Sequence, residues 1–332
     1  MDQFDNFALH QQKTSNIEYS ELLRQEFSIL MSTPPLISIA LCTYNGAVFL
    51  PVQMDSLLAQ DWESLEIVVV DDGSIDGTRE ILLDYASRDP RISLHFNEHN
   101  LGFLLNFQKA FSLTRGEFIA PCDQDDWWHP DKLRGLHAAI GNRALAYCDS
   151  LLVDSAGGSM GRRVSDVILM YQGTDPAAFV FGNCVSGHAL LARRTLVERA
   201  MPFPEGCFHD WWLAFAAVST EGLIYVPETW VHYRQHAAAQ TDLSGRAKRE
   251  RKNPPRWLEL NRRRAWIAVL AQFSSPHQRY FKALLGPGIN GHGAGSAQAL
   301  CSCSWNGGRA SSLTTTVPIK GGYAGHFAFS GG

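Results

Sequence analysis

The chain has 332 residues, of which 45% are hydrophobic and 19% charged, so it can bury a full core in one large domain or two ordinary ones. Its longest nearly continuous apolar run, Trp211 to Val218, is far below the roughly 20 residues of a membrane span, and its acidic N-terminus does not resemble a signal peptide. The net charge is −4 and the seven cysteines follow no framework spacing, so we expect a cytoplasmic protein with reduced thiols and no nucleic-acid partner.

Strands and helices alternate through the first part of the chain, after a short arm. Residues 1–33 are predicted to form a helical arm that Pro34-Pro35 ends. Short β-branched or apolar runs predict strands over 36–41, 65–70, 91–96 and 117–121, and helical spacing of apolar residues predicts helices over 49–60, 76–85 and 103–113. This alternation predicts an α/β fold with a Rossmann-like, mainly parallel sheet flanked by helices.

Polar turns follow three of the predicted strands. They are Thr43-Tyr44-Asn45, Asp71-Asp72-Gly73 and Asp123-Gln124-Asp125. Ligands of parallel α/β sheets bind at the carboxyl ends of the strands, and these ends meet at one edge. The sequence therefore predicts one ligand-binding edge that carries several carboxylates.

The carboxylates that follow the fourth strand need a partner. Asp123 and Asp125 are two residues apart, so on an extended strand end they share a face and repel each other unless a metal ion or a proton lies between them. Asp126 has an ordinary alternative as the N-cap of a helix that opens at Trp127 to Pro130. We expect a metal role for Asp123 and Asp125.

The second half of the chain is less regular. A helix is predicted over 130–140, strands over 144–148 and 225–231, a glycine-rich turn over 154–161, an apolar stretch over 189–192, and an apolar helix that ends at Val218. We interpret residues 34–240 as one domain whose second half forms the acceptor side.

Composition changes towards the C-terminus. Between Asp242 and Arg264, nine basic residues accompany three acidic ones, so we expect a basic helical extension over 241–285. Its segment 246–264 would meet an anionic membrane peripherally, at the inner face. Residues 286–332 hold twelve of the 28 glycines and neither Asp nor Glu, which predicts a low-complexity, disordered tail. A frameshifted helical end would have the same composition, so both interpretations stand.

Six motifs occur in a fixed order over residues 35–240. They are Ile39-Ala40-Leu41-Cys42-Thr43-Tyr44-Asn45-Gly46, Val70-Asp71-Asp72-Gly73-Ser74-Ile75-Asp76-Gly77-Thr78, Asn100-Leu101-Gly102, Asp123-Gln124-Asp125-Asp126, His209-Asp210-Trp211-Trp212 and Tyr233-Arg234-Gln235-His236. In this order they resemble an inverting family 2 glycosyltransferase with a GT-A fold. The acidic and tryptophan motifs further resemble bacterial rhamnosyltransferases of surface-polysaccharide assembly.

The resemblance implies donor-binding roles at the strand ends. Asp72 would accept the N3–H of a uracil or thymine base, and Tyr44 would stack on that base. Asn100 and Gly102 would let the backbone approach the nucleotide, and Asp123 would face the ribose. A turn aspartate, a half-buried aromatic residue and an ordinary loop are the alternatives without a ligand.

A metal ion is implied by the same resemblance. Asp123, Asp125 and His236 would hold Mg²⁺ or Mn²⁺, the cations that suit oxygen ligands and a diphosphate. The bound ion would neutralise the leaving nucleoside diphosphate.

The acceptor side carries the implied catalytic residue. Asp210 would be the general base that takes the proton of the acceptor hydroxyl, with a helix N-cap as the alternative. Gly187, His188, Trp211 and Trp212 would shape the acceptor pocket, although core packing explains at least one tryptophan.

The resemblance thus implies metal-dependent, inverting transfer of a sugar from a dTDP- or UDP-linked donor to a saccharide or lipid-linked acceptor. The alternative is a non-catalytic nucleotide-sugar-binding protein of the same fold. A functional Asp210 separates the two, because a binding protein needs no general base.

Overall fold

One mixed β-sheet with helices on both faces organises the part of the chain that the structure describes. The structure is a computed structural model and describes residues 34–180, 182–236, 241, 243 and 256–285, with the backbone alone for 256–262. The predicted arm over 1–33, the predicted tail over 286–332 and most of the basic segment 246–264 lie outside the described residues.

The elements follow in chain order. The strands are β1 Ile37–Thr43, β2 Leu65–Asp71, β3 Ile92–Phe96, β4 Phe118–Cys122, β5 Trp127–Trp128, β6 Leu145–Val153, β7 Ser159–Arg163, β8 Leu190–Arg193 and β9 Leu223–Arg234. The α-helices are α1 Leu50–Leu58, α2 Thr78–Arg88, α3 Phe103–Leu113, α4 Lys132–Ile140, α5 Arg194–Ala200, α6 His209–Val218, α7 Arg256–Leu270 and α8 Gln278–Leu284. The strand order is β3-β2-β1-β4-β8-β6-β9-β5, and β7 pairs with β6.

The first four strands form the parallel half of the sheet. β1 pairs in parallel with β2 and β4, and β2 pairs in parallel with β3. β1 and β2 are buried almost throughout, as expected of strands covered by helices on both faces. The predicted α/β fold is confirmed, and the four predicted strands lie within two residues of the observed ones.

Beyond β4 the strand directions alternate. β8 joins β4 and β6 antiparallel, whereas β6 and β9 are parallel with two register shifts near Asp149. The alternative of a helix that opens at Trp127 is wrong, because Trp127 and Trp128 form β5 against β9, whereas the helix predicted over 130–140 is observed as α4. Trp128 is fully buried there, and α4 begins only at Lys132.

Helices cover the two faces of the sheet as two hydrophobic clusters. α1, α2 and α4 cover one face, and α3, α5 and α6 cover the other. The described C-terminal helices join the second face, because Phe273 and Phe281 pack against Phe215 of α6. Among the helices described here, none is both long and apolar enough to cross a bilayer.

Candidate active site

Polar residues from both halves of the sheet meet beyond the end of β4. The parallel half contributes the turns after β1, β2 and β4. The second half contributes the end of β9, the start of α6 and a 3₁₀ turn, Gly187–Ala189, that precedes β8.

The Tyr44 backbone is held by the side chain of Gln124. Tyr44 N–H donates to Gln124 Oε1 at 2.8 Å, and Gln124 Nε2 donates to the Tyr44 carbonyl at 3.0 Å. Gly46 makes room for this contact, since a Cβ there would lie 2.1 Å from Gln124 Oε1. The Tyr44 side chain stays on the surface, with 46% of the residue exposed. The residue predicted to stack on a base is therefore an exposed aromatic on a fixed backbone.

Asp72 joins the end of β2 to the predicted loop at Asn100. Asn97 Nδ2 and Leu101 N–H donate to Asp72 Oδ1 at 2.7 and 2.8 Å, and Gly102 N–H donates to Oδ2 at 2.9 Å. Gly102 N–H also donates to Asn100 Oδ1 at 3.0 Å, and its φ of +83° favours glycine. Asp72 is 3% exposed. It therefore orients this loop whatever else it binds.

His188 lies between two carboxylates of the acidic turn. Its Nδ1 is 3.3 Å from Asp126 Oδ2 and 3.7 Å from Asp123 Oδ2, and its Nε2 is 3.2 Å from Ser150 Oγ. Burial favours the neutral ring, but Asp126 and Asp123 raise the pKa of His188 above its usual value. His188 in turn holds the pKa of Asp123 below its usual value against the effect of burial. His188 thus lies buried against two carboxylates of the acidic turn, and these carboxylates favour its protonated form.

Asp125 pairs with His236, and both are among the residues predicted to hold a metal ion. His236 Nε2 lies 2.8 Å from Asp125 Oδ2, and the His236 ring packs on Phe49 at 4.8 Å. Burial and the charge of Asp123 raise the pKa of Asp125, while His236 opposes this rise. Arg234 Nε donates to the Asp125 carbonyl at 2.7 Å, so the end of β9 fixes the acidic turn.

Asp126 does not cap a helix, so the alternative given for it is wrong. Its carboxylate is fully buried, and Oδ1 accepts the Arg234 N–H at 2.9 Å. Oδ2 accepts no hydrogen bond from the described residues and faces His188. Burial raises the pKa of Asp126 to about 7, with Asp125 and Asp123 raising it further and His188 opposing them.

Lys132 is a site residue that sequence reasoning missed. The side chain is fully buried, its Nζ donates to the His188 carbonyl at 2.7 Å, and Nζ lies 2.8 Å from the Trp128 ring centre. Burial lowers the pKa of Lys132 to about 7. Helical spacing does not tell an inward lysine from one whose stem lies along the surface. Lys132 ties the Gly187–Ala189 turn to the first turn of α4.

Asp210 occupies the first turn of α6 rather than its N-cap, which is Phe208. Burial raises the pKa of Asp210 to about 7, and the charge of Asp123 raises it further. The Trp211 N–H, His188 and the Gly187 N–H act in the opposite direction. A Cβ on Gly187 would lie 3.8 Å from Asp210 Cβ, and the next residue, His188, contacts Asp123 and Asp126, so Asp210 lies near the acidic turn. A carboxylate with a pKa near neutrality suits proton removal at neutral pH.

Gly187 lies directly against the start of α6. A Cβ on Gly187 would lie 2.6 Å from His209 Nε2 and 3.8 Å from Asp210 Cβ. The His209 ring stacks on Phe107 at 4.0 Å, and neither of its nitrogens has a hydrogen-bond partner within the described residues. Burial lowers the pKa of His209 to about 4. Gly187 therefore fits between a neutral imidazole and the predicted base, and sequence alone did not single out His209.

The two tryptophans of α6 differ in burial. Trp212 is 3% exposed, and its indole N–H donates to the Ala200 carbonyl at 2.8 Å. It packs in the core, which agrees with the core-packing alternative given for at least one of the two tryptophans. Trp211 is partly buried, donates to the Phe179 carbonyl at 2.8 Å and packs on Trp266.

The residues present fit a hard divalent cation. Two ligands that bind one ion at right angles through bonds of about 2.1 Å lie about 3 Å apart. Asp125 Oδ2 and His236 Nε2 are 2.8 Å apart, close to that separation. Asp123, Asp126 and His188 each offer an atom within 4.8 Å of the others, so a second set of ligand atoms lies nearby. The structure divides the predicted set, because Asp123 groups with Asp126 and His188 whereas Asp125 pairs with His236. The carboxylate oxygens and imidazole nitrogens of both groups are donor types that Mg²⁺ or Mn²⁺ accepts.

Comparisons with known proteins find similarity to proteins that are named as glycosyltransferases. The family model described as Glycosyl transferase family 2 matches residues 38–199, just under half of the chain. EpsH of Bacillus subtilis (strain 168), named as a glycosyltransferase, is 29% identical over 222 residues, which are 62% of this chain and 62% of EpsH. TuaG of the same organism, named as a teichuronic acid biosynthesis glycosyltransferase, is 37% identical over 113 residues, which are 34% of this chain and 45% of TuaG.

A solved structure has a similar fold. The crystal structure of S. aureus TarS 1–349 in complex with UDP-GlcNAc gives a TM-score of 0.56 at 18% identity, covering 75% of this chain and 70% of that one. At this identity the likeness concerns the fold. The chain spans about three fifths of EpsH, and the family match ends before Asp210 and His236.

Proposed function

We propose that this chain, whose residues 38–199 match glycosyl transferase family 2, is an inverting glycosyltransferase that moves a sugar from a nucleoside-diphosphate sugar to an acceptor hydroxyl. The names of EpsH and TuaG support the transferase, and the UDP-GlcNAc complex of TarS supports a nucleotide-sugar donor. One observation carries the proposal. Asp210, with a pKa raised to about 7 by burial, lies beside the acidic turn that would hold the donor diphosphate.

Asp210 would act on the acceptor. A sugar hydroxyl is a weak nucleophile unless its proton leaves as the new bond forms. With a pKa of about 7, Asp210 is a stronger base than an ordinary aspartate, and about half of it is ionised at pH 7. Attack from the face opposite the leaving diphosphate inverts the anomeric centre.

The parallel half would bind the donor. Tyr44 would stack on the base, Asp72 would accept its N–H, and Asp123 would face the ribose. Asp123, Asp125 and His236 would hold Mg²⁺ or Mn²⁺, which when bound neutralises the charge that develops on the diphosphate.

The variant Asp210→Asn tests the proposal. It keeps the shape of the side chain and removes its basicity, so kcat should fall by about 10² to 10⁴ while the Kd of UDP or dTDP changes little. Asp175→Asn is the matched control, since Asp175 caps the turn at Pro176–Phe179 through the Ala177 N–H at 2.9 Å. Turnover of Asp210→Asn equal to that of the control would refute the assignment.

A non-catalytic nucleotide-sugar-binding protein is the second candidate. The Asp125–His236 pair would be sufficient for this function, because nucleotide binding needs the cation site but no general base. It would show metal-dependent nucleotide binding in calorimetry with no sugar transfer or donor hydrolysis in the wild type, and Asp210→Asn would then change neither signal.

The donor sugar and acceptor are finer parts of the proposal. The acidic and tryptophan motifs support rhamnose from dTDP-rhamnose, and the name of TuaG supports a surface polysaccharide or its lipid-linked precursor as acceptor. Comparing the turnover of dTDP-rhamnose with that of UDP-GlcNAc decides the donor sugar.

The basic segment 246–264 supports contact with an anionic membrane. Equal, salt-independent binding to neutral and anionic vesicles would refute this contact.

A further inference from the structure

The carboxylate of Asp72 keeps one acceptor position that no donor of the described chain occupies. A carboxylate offers about four such positions, two on each oxygen. Asn97 Nδ2 and Leu101 N–H fill both positions of Oδ1, and Gly102 N–H fills one of Oδ2. A ligand that leaves these contacts intact therefore meets a single acceptor on Oδ2.

We infer that Asn97, held by Lys109, is a specificity-determining positioning residue that limits Asp72 to one hydrogen bond with the donor base. A uracil or thymine ring presents one N–H between two carbonyls and matches one acceptor. Guanine presents two adjacent N–H donors and needs both carboxylate oxygens at once. The inference rests on the proposed nucleotide site and adds a residue that selects its base.

The orientation of the Asn97 amide follows from the chemistry of its neighbours. Lys109 Nζ can only donate and lies 2.6 Å from Asn97 Oδ1, whereas the ionised Asp72 can only accept and lies 2.7 Å from Nδ2. Flipping the amide would place donor against donor and acceptor against acceptor. Lys109 therefore fixes the face of Asn97 that Asp72 meets.

The other N–H of the Asn97 amide is also used. Asn97 Nδ2 donates to Asn106 Oδ1 at 2.9 Å, and Asn106 Nδ2 donates to the Val70 carbonyl at 3.0 Å. Asn97 N–H donates to the Asp71 carbonyl at 2.9 Å, so backbone and side chain are both held. Both N–H groups and the oxygen of the Asn97 amide are therefore paired, which fixes the orientation of the amide.

The experiment compares nucleotide preference in three forms of the full chain. Calorimetry with Mn²⁺ present gives the Kd of UDP, dTDP, GDP and CDP for the wild type, Asn97→Leu and Lys109→Met. The variant Lys282→Met, at an exposed lysine of α8, is the matched control for loss of a charge. Melting temperatures are measured on all four proteins.

The wild type should bind UDP or dTDP better than GDP. Asn97→Leu frees a position on Oδ1, so the preference for UDP over GDP should narrow about tenfold. Lys109→Met removes the donor that holds Asn97 Oδ1 and so loosens the amide against Asp72, which should narrow the preference for UDP over GDP about threefold. This variant carries the test if Asn97→Leu does not fold.

Equal losses of affinity for all four nucleotides, with a lower melting temperature, would mean that Asn97 only supports the fold, and would overturn the inference. An unchanged ratio in both variants would overturn it as well. A wild type that binds no nucleotide would refute the proposed function and this inference with it.

Discussion

The two halves of the sheet differ in how they are built and in what they bring to the site. The half β3-β2-β1-β4 is wholly parallel and carries Tyr44, Asp72 and Asp123 at its strand ends. The half β8-β6-β9-β5 mixes strand directions, and His188 and Asp210 lie on the connections that flank its strands. The residues proposed for donor recognition and for proton removal therefore come from different halves, which meet at the acidic turn. Substitutions in the first half should change nucleotide affinity, and those in the second should change turnover.

Asp125→Asn should have the largest effect, because Asp125 lies where the halves meet. The neutral amide is a poorer ligand for a hard cation and loses the charge that pairs with His236 at 2.8 Å. Metal-dependent binding of UDP or dTDP should fall by roughly 10²-fold or more with little change in melting temperature. The measurement is calorimetry with Mn²⁺ titrated in, and unchanged affinity would remove the metal site.

Gly187→Ala should lower turnover with little effect on the donor. The added Cβ would lie 2.6 Å from His209 Nε2, so the turn or the start of α6 must shift. A displaced Asp210 should lower kcat by about 10- to 100-fold, with about 1 to 3 kcal/mol of stability lost to overpacking. Steady-state kinetics and UDP calorimetry check this. A weaker UDP Kd with normal kcat would break the division between the halves.

The pH dependence of turnover should follow Asp210. Its pKa of about 7 means that kcat rises about tenfold between pH 6 and pH 8 as the carboxylate ionises. In the unfolded chain Asp210 loses its proton near pH 4, whereas in the folded chain it keeps the proton up to about pH 7. The free energy of unfolding therefore falls as pH rises from about 4 to about 7. Asp126 adds a fall of the same sign. The Asp210→Asn variant should lack the part of this fall that Asp210 causes. A pH–stability curve identical to that of the wild type would contradict the raised pKa.

The same contrast explains what the sequence could predict. Strands such as β1 and β2 are short, continuously apolar and covered on both faces, so periodicity alone locates them. Trp127 and Trp128 form a strand only because β9, a hundred residues later, pairs with them, and no local pattern records that. Asp72, Asp125 and His236 were predicted from motifs. The burial of Lys132 and the place of His188 between Asp123 and Asp126 depend on contacts between distant segments.

Thr43→Val should have the smallest effect on nucleotide affinity. It tests a difference within the parallel half, between Asp71 and the neighbouring Asp72. Asp71, next to Asp72, accepts hydrogen bonds from Thr43 Oγ1 at 2.8 Å, Ser74 Oγ at 2.5 Å and Ser74 N–H at 3.0 Å, so it organises the turn. Valine keeps the shape of threonine and removes one of these three donors. Stability should fall by about 1 kcal/mol, while the Kd of UDP or dTDP changes less than about twofold.

Asp72→Asn is the matched comparison for Thr43→Val. It replaces an acceptor with a donor beside Asn97, Leu101 and Gly102, so it should weaken UDP binding by about tenfold or more. The two variants together assign the neighbouring aspartates to different tasks, because only one of them should change nucleotide affinity. Equal losses of UDP affinity in both variants would show that Asp71 also belongs to the base site and that the turn and the site are one unit.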